Sequence, residues 1–145
     1  MLYQYNLPLN PRGRKVAVWW STLFSSILNS NQASPGSFIS ANSNNRFPFL
    51  SANIVAKNKR KLIFRDYKII KKNGQRIGIF GIFHPSHSLP AGLLAKSLEE
   101  TVPKVIKKLQ SKNVDLIVLL SYSGFELDKE IASSFKGIDL IIGSK

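Results

Sequence analysis

Apolar residues in this chain come in short runs set between polar and basic stretches, and the period of the runs changes along the sequence. Residues 1–15 are polar, with Pro8 and Pro11, and read as irregular. Val16–Leu28 is the first apolar block, whose short runs fit either strand or helix. Asn29–Arg46 is rich in Asn and Ser, includes Pro35-Gly36, and reads as a loop around a short helix. From Phe47 the pattern sharpens: "FPFLSANIV" predicts a short strand and "KNKRK" a solvated turn. Leu62–Ile70 and Arg76–Phe83, rich in β-branched and aromatic residues, predict an antiparallel pair joined at Asn73-Gly74. Both turn residues tolerate the positive φ of a type I′ turn. Gly78 and Gly81 are expected where another element packs closely on the second strand.

Beyond "HPSHSLPAG", read as loop, the period becomes helical. Val102, Val105, Ile106 and Leu109 form one stripe with Lys104, Lys107, Lys108 and Lys112 off it, and Pro103 is expected in the helix's first turn. Leu116–Leu120 then predicts a strand covered on both faces. Asp128–Phe135 predicts a short helix ended at Gly137, with Asp128 as its N-cap, and "IDLII" a last buried strand. Helix, strand, helix, strand in this order is a parallel α/β arrangement, and a chain of 145 residues is of single-domain size.

Charge changes this picture. The net charge is +13, from 21 Lys and Arg against 8 Asp and Glu. Residues 1–98 hold 14 of the basic residues beside one acid, Asp66, whereas residues 99–145 hold 7 of each sign. Such an excess permits an anionic partner, whether nucleic acid, membrane surface or phosphorylated ligand, and equally a soluble basic surface. With no cysteine, disulfides and thiolate metal sites are excluded. No apolar run reaches the ~20 residues of a membrane span. Basic residues, the Val16–Leu28 block and then Ala33 outline a secretory signal, against the reading of the same block as a core element.

The chemistry lies where strands end. "DLIVLLSYSG" is a buried strand breaking into a small-residue turn, and in open α/β folds ligands bind beyond the carboxyl ends of strands. Tyr122 stands there, able to hydrogen-bond a phosphate, stack on a base, or close the crevice as a half-buried ring. His84 and His87 follow the strand that ends at Phe83, with Pro85 between them. They are read as an exposed loop pair or as phosphate contacts before metal ligands. Ser121 and Ser123 have no paired base in the sequence, so a serine nucleophile is unsupported. Asp115 and Asp139 fall at strand starts, opposite the crevice, and are expected to cap or to pair with lysines. Glu99 and Glu100 lie just ahead of a helix, where they offset its dipole. The basic stretch 57–76 interleaves Phe64 and Tyr67 with cations, but alternation puts these rings on different faces, which fits a solvated edge hairpin better than a nucleic-acid platform.

Taken together, "FPFLSANIV", "NGQRIGIFGI", the helix, "DLIVLLSYSG" and "GIDLIIGSK" resemble, in that order, the calcineurin-like metallophosphoesterases of the 5'-nucleotidase type. The resemblance covers residues 47–145, with residues 1–46 poorly matched. It implies an α/β/β/α sandwich, here incomplete, and divalent ions (Mn, Zn, Mg or Ca) that activate water against a nucleotide phosphoester. Members of that family carry a histidine where Tyr122 stands, in a pattern like "LSHLG", and another where Lys145 stands, in "GGHTH". A "GNHE" motif lies about twenty residues before the "LSAN" strand, which makes Asn31 a metal-ligand candidate while Gln32 and Ala33 replace the next two motif residues. The "DxHG" pattern does not occur in residues 1–30. The resemblance also implies export. It leaves three functions: hydrolysis of nucleotide phosphoesters, a noncatalytic binding or scaffold domain, and a basic nucleic-acid-binding module.

Overall fold

The computed structural model describes residues 49–84 and 89–143. The readings made for residues 1–46, including the first apolar block and Asn31, lie outside the described residues, as does His87. In chain order the elements are β1 (Ile54–Ala56), β2 (Tyr67–Lys72), β3 (Gln75–Phe83), β4 (Leu93–Ala95), α1 (Leu98–Gln110), β5 (Leu116–Tyr122), α2 (Phe125–Ser134) and β6 (Leu140–Gly143). They make a four-stranded sheet in the order β2-β3-β5-β6 and a two-stranded sheet of β1 and β4. The β2–β3 pair is antiparallel, while β3–β5 and β5–β6 are parallel. This is the α/β class expected, as an incomplete sandwich: helices on one face of a mixed sheet and a second sheet against part of the other.

The hairpin forms as its sequence requires. Lys72 pairs with Gln75, leaving Asn73 and Gly74 as the two turn residues, at φ 50° and 80°. The strand before it is shorter than expected. Residues 62–66 pair with the segment before them rather than with β3: the Ile63 amide donates to the Ile54 carbonyl and the Ser51 amide to that of Arg65. Leu93–Ala95, to which the sequence reading assigned no element, forms strand β4 because β1 offers it an antiparallel partner.

Helix α1 buries Leu98, Thr101, Val102, Val105, Ile106 and Leu109, the stripe that the spacing defines. Its start differs in detail from the sequence reading. Ser97 is the N-cap, its Oγ accepting from the Glu100 amide at 3.3 Å, so Glu99 and Glu100 lie inside the first turn. There Lys104 bonds the Glu100 carboxylate at 2.8 Å and holds its pKa below the usual value. Pro103 stands deeper than the first turn, and the helix continues through it with one intrahelical bond fewer. Helix α2 begins at Phe125 with Gly124 as N-cap, so Asp128 sits within its first turn rather than capping it.

The main core lies between these helices and one face of the large sheet: Phe80 and Ile82 of β3, Ile117 and Leu119 of β5, Ile141 of β6, and Ile131 of α2 pack with the α1 stripe. Gly78 is required here, because a Cβ on it would lie 2.8 Å from Leu109 Cδ2 and 3.1 Å from Cδ1. A second cluster forms on the opposite face, at the carboxyl end of the sheet, from Ile54, Phe64, Phe83 and Leu93 with Phe49, Ile63 and Tyr122 against them.

The Gly78–Leu109 contact yields a test. Gly78→Val overpacks a site already closed by a buried side chain and should lower unfolding free energy by about 2 kcal/mol. In urea denaturation, the double variant with Leu109→Ala should be less destabilised than the sum of the two single changes.

Candidate functional site

Strands β3, β5 and β6 run parallel, so their carboxyl ends lie at one edge, where a crevice is expected in such folds. The register pairs Phe83 with Tyr122 and Ser121 with Gly143, which sets His84, Tyr122, Ser123 and Gly143 at neighbouring strand ends. Of the four residues singled out from the sequence, His84 and Tyr122 stand at the ends of adjacent strands. Asn31 and His87 are outside the described residues.

Tyr122 is half-buried, and its ring stacks on Phe83 with centroids 5.9 Å apart and planes 11° from parallel. It belongs to the second core cluster, on the sheet face opposite the helices. Gly124 follows at φ 91°, a conformation costly for side chains with a Cβ, and turns the chain directly into α2. The helix's first amides, which have no intrahelical acceptor, consequently start beside the end of β5.

What holds this edge in place was not apparent in the sequence. Asn53 is fully buried. Its amide nitrogen donates to the Phe83 carbonyl at 2.6 Å and to the Lys96 carbonyl at 3.2 Å, while its Oδ1 accepts from the Phe83 amide at 3.0 Å. One side chain thus satisfies both backbone groups of Phe83, as a neighbouring strand would, and joins β3 to the segment leading into α1. Ser51 Oγ donates to the same Oδ1 at 3.3 Å. Nothing in the spacing marks Asn53, because it lies within "FPFLSANIV", read as a short strand, and its partners lie far along the chain.

At the opposite edge the aspartates act in a related way. The Asp115 amide donates to the Arg76 carbonyl and its carboxylate accepts from the Arg76 amide at 2.6 Å. The Asp139 amide donates to the Ile117 carbonyl and its carboxylate accepts from the Ile117 amide at 2.7 Å. Their position at strand starts is as expected. Their partners are backbone groups and not lysines, because the amide at the start of each parallel ladder otherwise lacks a strand partner.

Three polar atoms near the crevice, Ser121 Oγ, Ser123 Oγ and Asp128 Oδ1, are buried without a hydrogen-bond partner. Asp128 lies against Gly143, where an added Cβ would collide with its Oδ2. Among the described residues, no three His, Cys, Asp or Glu side chains converge on one point. Among the described residues, the donors at this edge, one imidazole, one phenol, two hydroxyls and one carboxylate, do not fit the several carboxylates and imidazoles of a two-ion centre. On the basic stretch, Tyr67 faces the helices: Lys108 Nζ lies 5.2 Å from its ring centroid and 2.7 Å from the Asp66 carboxylate, which raises the Lys108 pKa. Its ring is therefore engaged by α1 and is no exposed stacking platform. No helix among the described residues is long and apolar enough to cross a membrane.

No family model matches the chain. Similarity to known proteins is nonetheless extensive. The chain is 38% identical over 105 residues to the 5'-nucleotidase of Bos taurus, covering 67% of this chain and 18% of that protein. The crystal structure of the 5'-nucleotidase precursor from Thermus thermophilus superposes with a TM-score of 0.67 at 29% identity, over 76% of this chain and 23% of that one. The calcineurin-like phosphoesterase YfkN of Bacillus subtilis shares the fold, at TM-score 0.60 and 22% identity, over 70% of this chain and 38% of its own. Sheet order and the YfkN match give the chain a calcineurin-like phosphoesterase fold. Within that class the chain belongs to the 5'-nucleotidase type, and it spans about 18% of the length of the curated relative.

The Asn53 bonds predict the stability of this edge. Asn53→Ala leaves two buried backbone groups of Phe83 unpaired and should cost about 2–5 kcal/mol in chemical denaturation. Asn53→Asp should be no milder, since its carboxylate would face the Phe83 and Lys96 carbonyls.

Proposed function

We propose that this chain forms the nucleotide-facing part of a 5'-nucleotidase-type domain and binds a nucleotide through its phosphate without hydrolysing it by itself. The observation that carries this reading is that His84 follows Phe83, the register partner of Tyr122, so both residues stand at the carboxyl ends of neighbouring strands, in a segment similar to 5'-nucleotidases. The imidazole and the phenol hydroxyl supply phosphate donors, and the amides at the start of α2 add a third. The Tyr122 ring, fixed against Phe83, limits how the ligand enters.

Divalent ions belong to the chemistry that the family resemblance implies, where they activate the attacking water. Here the position that the family fills with an imidazole carries a phenol, a poor ligand for hard divalent ions. Binding without turnover follows from that donor set. A nucleic-acid role draws support only from the net charge of +13, and export draws support from the precursor status of the Thermus thermophilus relative.

The experiment is a titration of the full chain with a nucleoside monophosphate, followed by NMR or calorimetry, beside a phosphate-release assay with Mn²⁺, Zn²⁺ or Mg²⁺. Saturable binding that weakens about tenfold or more in His84→Ala and in Tyr122→Phe is expected, in line with the ~1.4 kcal/mol that corresponds to a tenfold change. No phosphate release above the buffer rate is expected. Turnover abolished by a chelator would overturn the noncatalytic part of the reading, and affinity unchanged in both variants would overturn the site.

A further inference from the structure

The segment that carries β1 does not stop where β3 stops. The Ala52 amide donates to the Gly81 carbonyl at 2.8 Å, and Asn53 then joins both backbone groups of Phe83, so residues 52–53 advance in step with the end of β3. β1 therefore runs on past Phe83 toward the crevice side, and its three residues carry the chain about 10 Å further. There the chain turns back. The Arg60 amide donates to the Ala56 carbonyl at 2.7 Å, and the Ala56 amide to that of Lys61 at 2.9 Å. β4 returns beside β1 toward the same edge, from Gly92, whose carbonyl accepts from the Lys57 amide, to Lys96, whose carbonyl accepts from Asn53.

This overhang is basic. Lys57, Lys59, Arg60 and Lys61 occupy the turn and are exposed, and Lys96 stands half-buried just after β4. Glu99 and Glu100, in the first turn of α1, oppose them, but Lys104 takes up Glu100 at 2.8 Å. Lys96 and Arg60 also act on the Glu100 carboxylate, after Lys104, which sets the turn and the start of α1 at one rim. Cations gathered at the mouth of a crevice concentrate anions there. A single phosphate does not need them, because His84, the Tyr122 hydroxyl and the first amides of α2 already supply its donors. A second or third phosphate does, since its charge would otherwise project past the strand ends unmatched.

We propose that the turn 57–61 and Lys96 form a cationic rim that selects nucleoside di- and triphosphates over monophosphates. One phosphate meets the donors at the strand ends, and the rest of the phosphate chain lies toward the rim. This inference rests on the nucleotide binding proposed above and names the ligand class of that site.

The test is a calorimetric titration of the full chain with adenosine mono-, di- and triphosphate, with EDTA present, at about 50 and about 200 mM salt. At the lower salt the triphosphate should bind about tenfold or more tighter than the monophosphate, and the ratio should shrink at the higher salt, because exposed charges are screened. Arg60→Glu and Lys96→Glu should each cut that ratio severalfold. Lys71→Glu makes the same change of charge at the hairpin end of β2, the edge away from the crevice, and should leave the ratio unchanged. His84→Ala should weaken both ligands. Monophosphate binding with no gain for the triphosphate would overturn the rim and leave the site standing, as would a ratio that ignores Arg60→Glu and Lys96→Glu or falls equally in Lys71→Glu. Triphosphate binding indifferent to His84→Ala would also overturn it, by making the turn a polyanion surface separate from the crevice. Failure of all three nucleotides to bind would overturn both readings.

Discussion

Everything at the crevice edge depends on how β3 ends. A parallel sheet cannot pair every backbone group at its strand ends, and an unpaired buried amide or carbonyl costs about as much as a lost hydrogen bond. Asn53 removes that cost at Phe83 by offering a donor and an acceptor from one amide, as a peptide group would. The same amide reaches Lys96, just before α1. The position of His84, the stacking of Phe83 on Tyr122, and the approach of the small sheet all follow from that single buried side chain.

The opposite edge is solved by aspartates. Asp115 and Asp139 each form a reciprocal pair with a residue near the start of the neighbouring strand, so both parallel ladders begin with a side chain. With the strand starts closed in this way and Gly78 letting Leu109 approach the sheet, α1 has one position available. The three ion pairs among the described residues, by contrast, lie at the surface, where such contacts contribute little. Packing and strand-end closure, and not charge, set the geometry on which a ligand would act.

A fold shared with 5'-nucleotidases places a strand end, a turn at positive φ and a helix start around one crevice. In this chain a phenol anchored in an apolar cluster stands at the end of the central strand. Such a side chain can orient a phosphate or shape an entrance. Fold and chemistry are separable here because the core clusters draw largely on residues other than those a ligand would meet.

Local pattern determined most elements. The two-residue period of Tyr67–Lys72 and Gln75–Phe83, the Asn-Gly turn between them, the helical stripe of α1 and the unbroken apolar run of β5 are each short-range signals, legible because burial of one face imposes its period on the sequence. The same logic placed Asp115 and Asp139 at strand starts, and the ordered set of segments carried the resemblance to the phosphoesterases. Tertiary structure decided the rest. β4 exists because β1 lies beside it, and residues 62–66 left the hairpin because the segment before them supplied nearer partners. Pro103 is tolerated deeper in α1 than propensity allows, since the buried stripe holds the helix together around it. Asn53 was invisible for the same reason: its value lies in two backbone groups thirty residues away, and no sequence period records a contact that only folding creates.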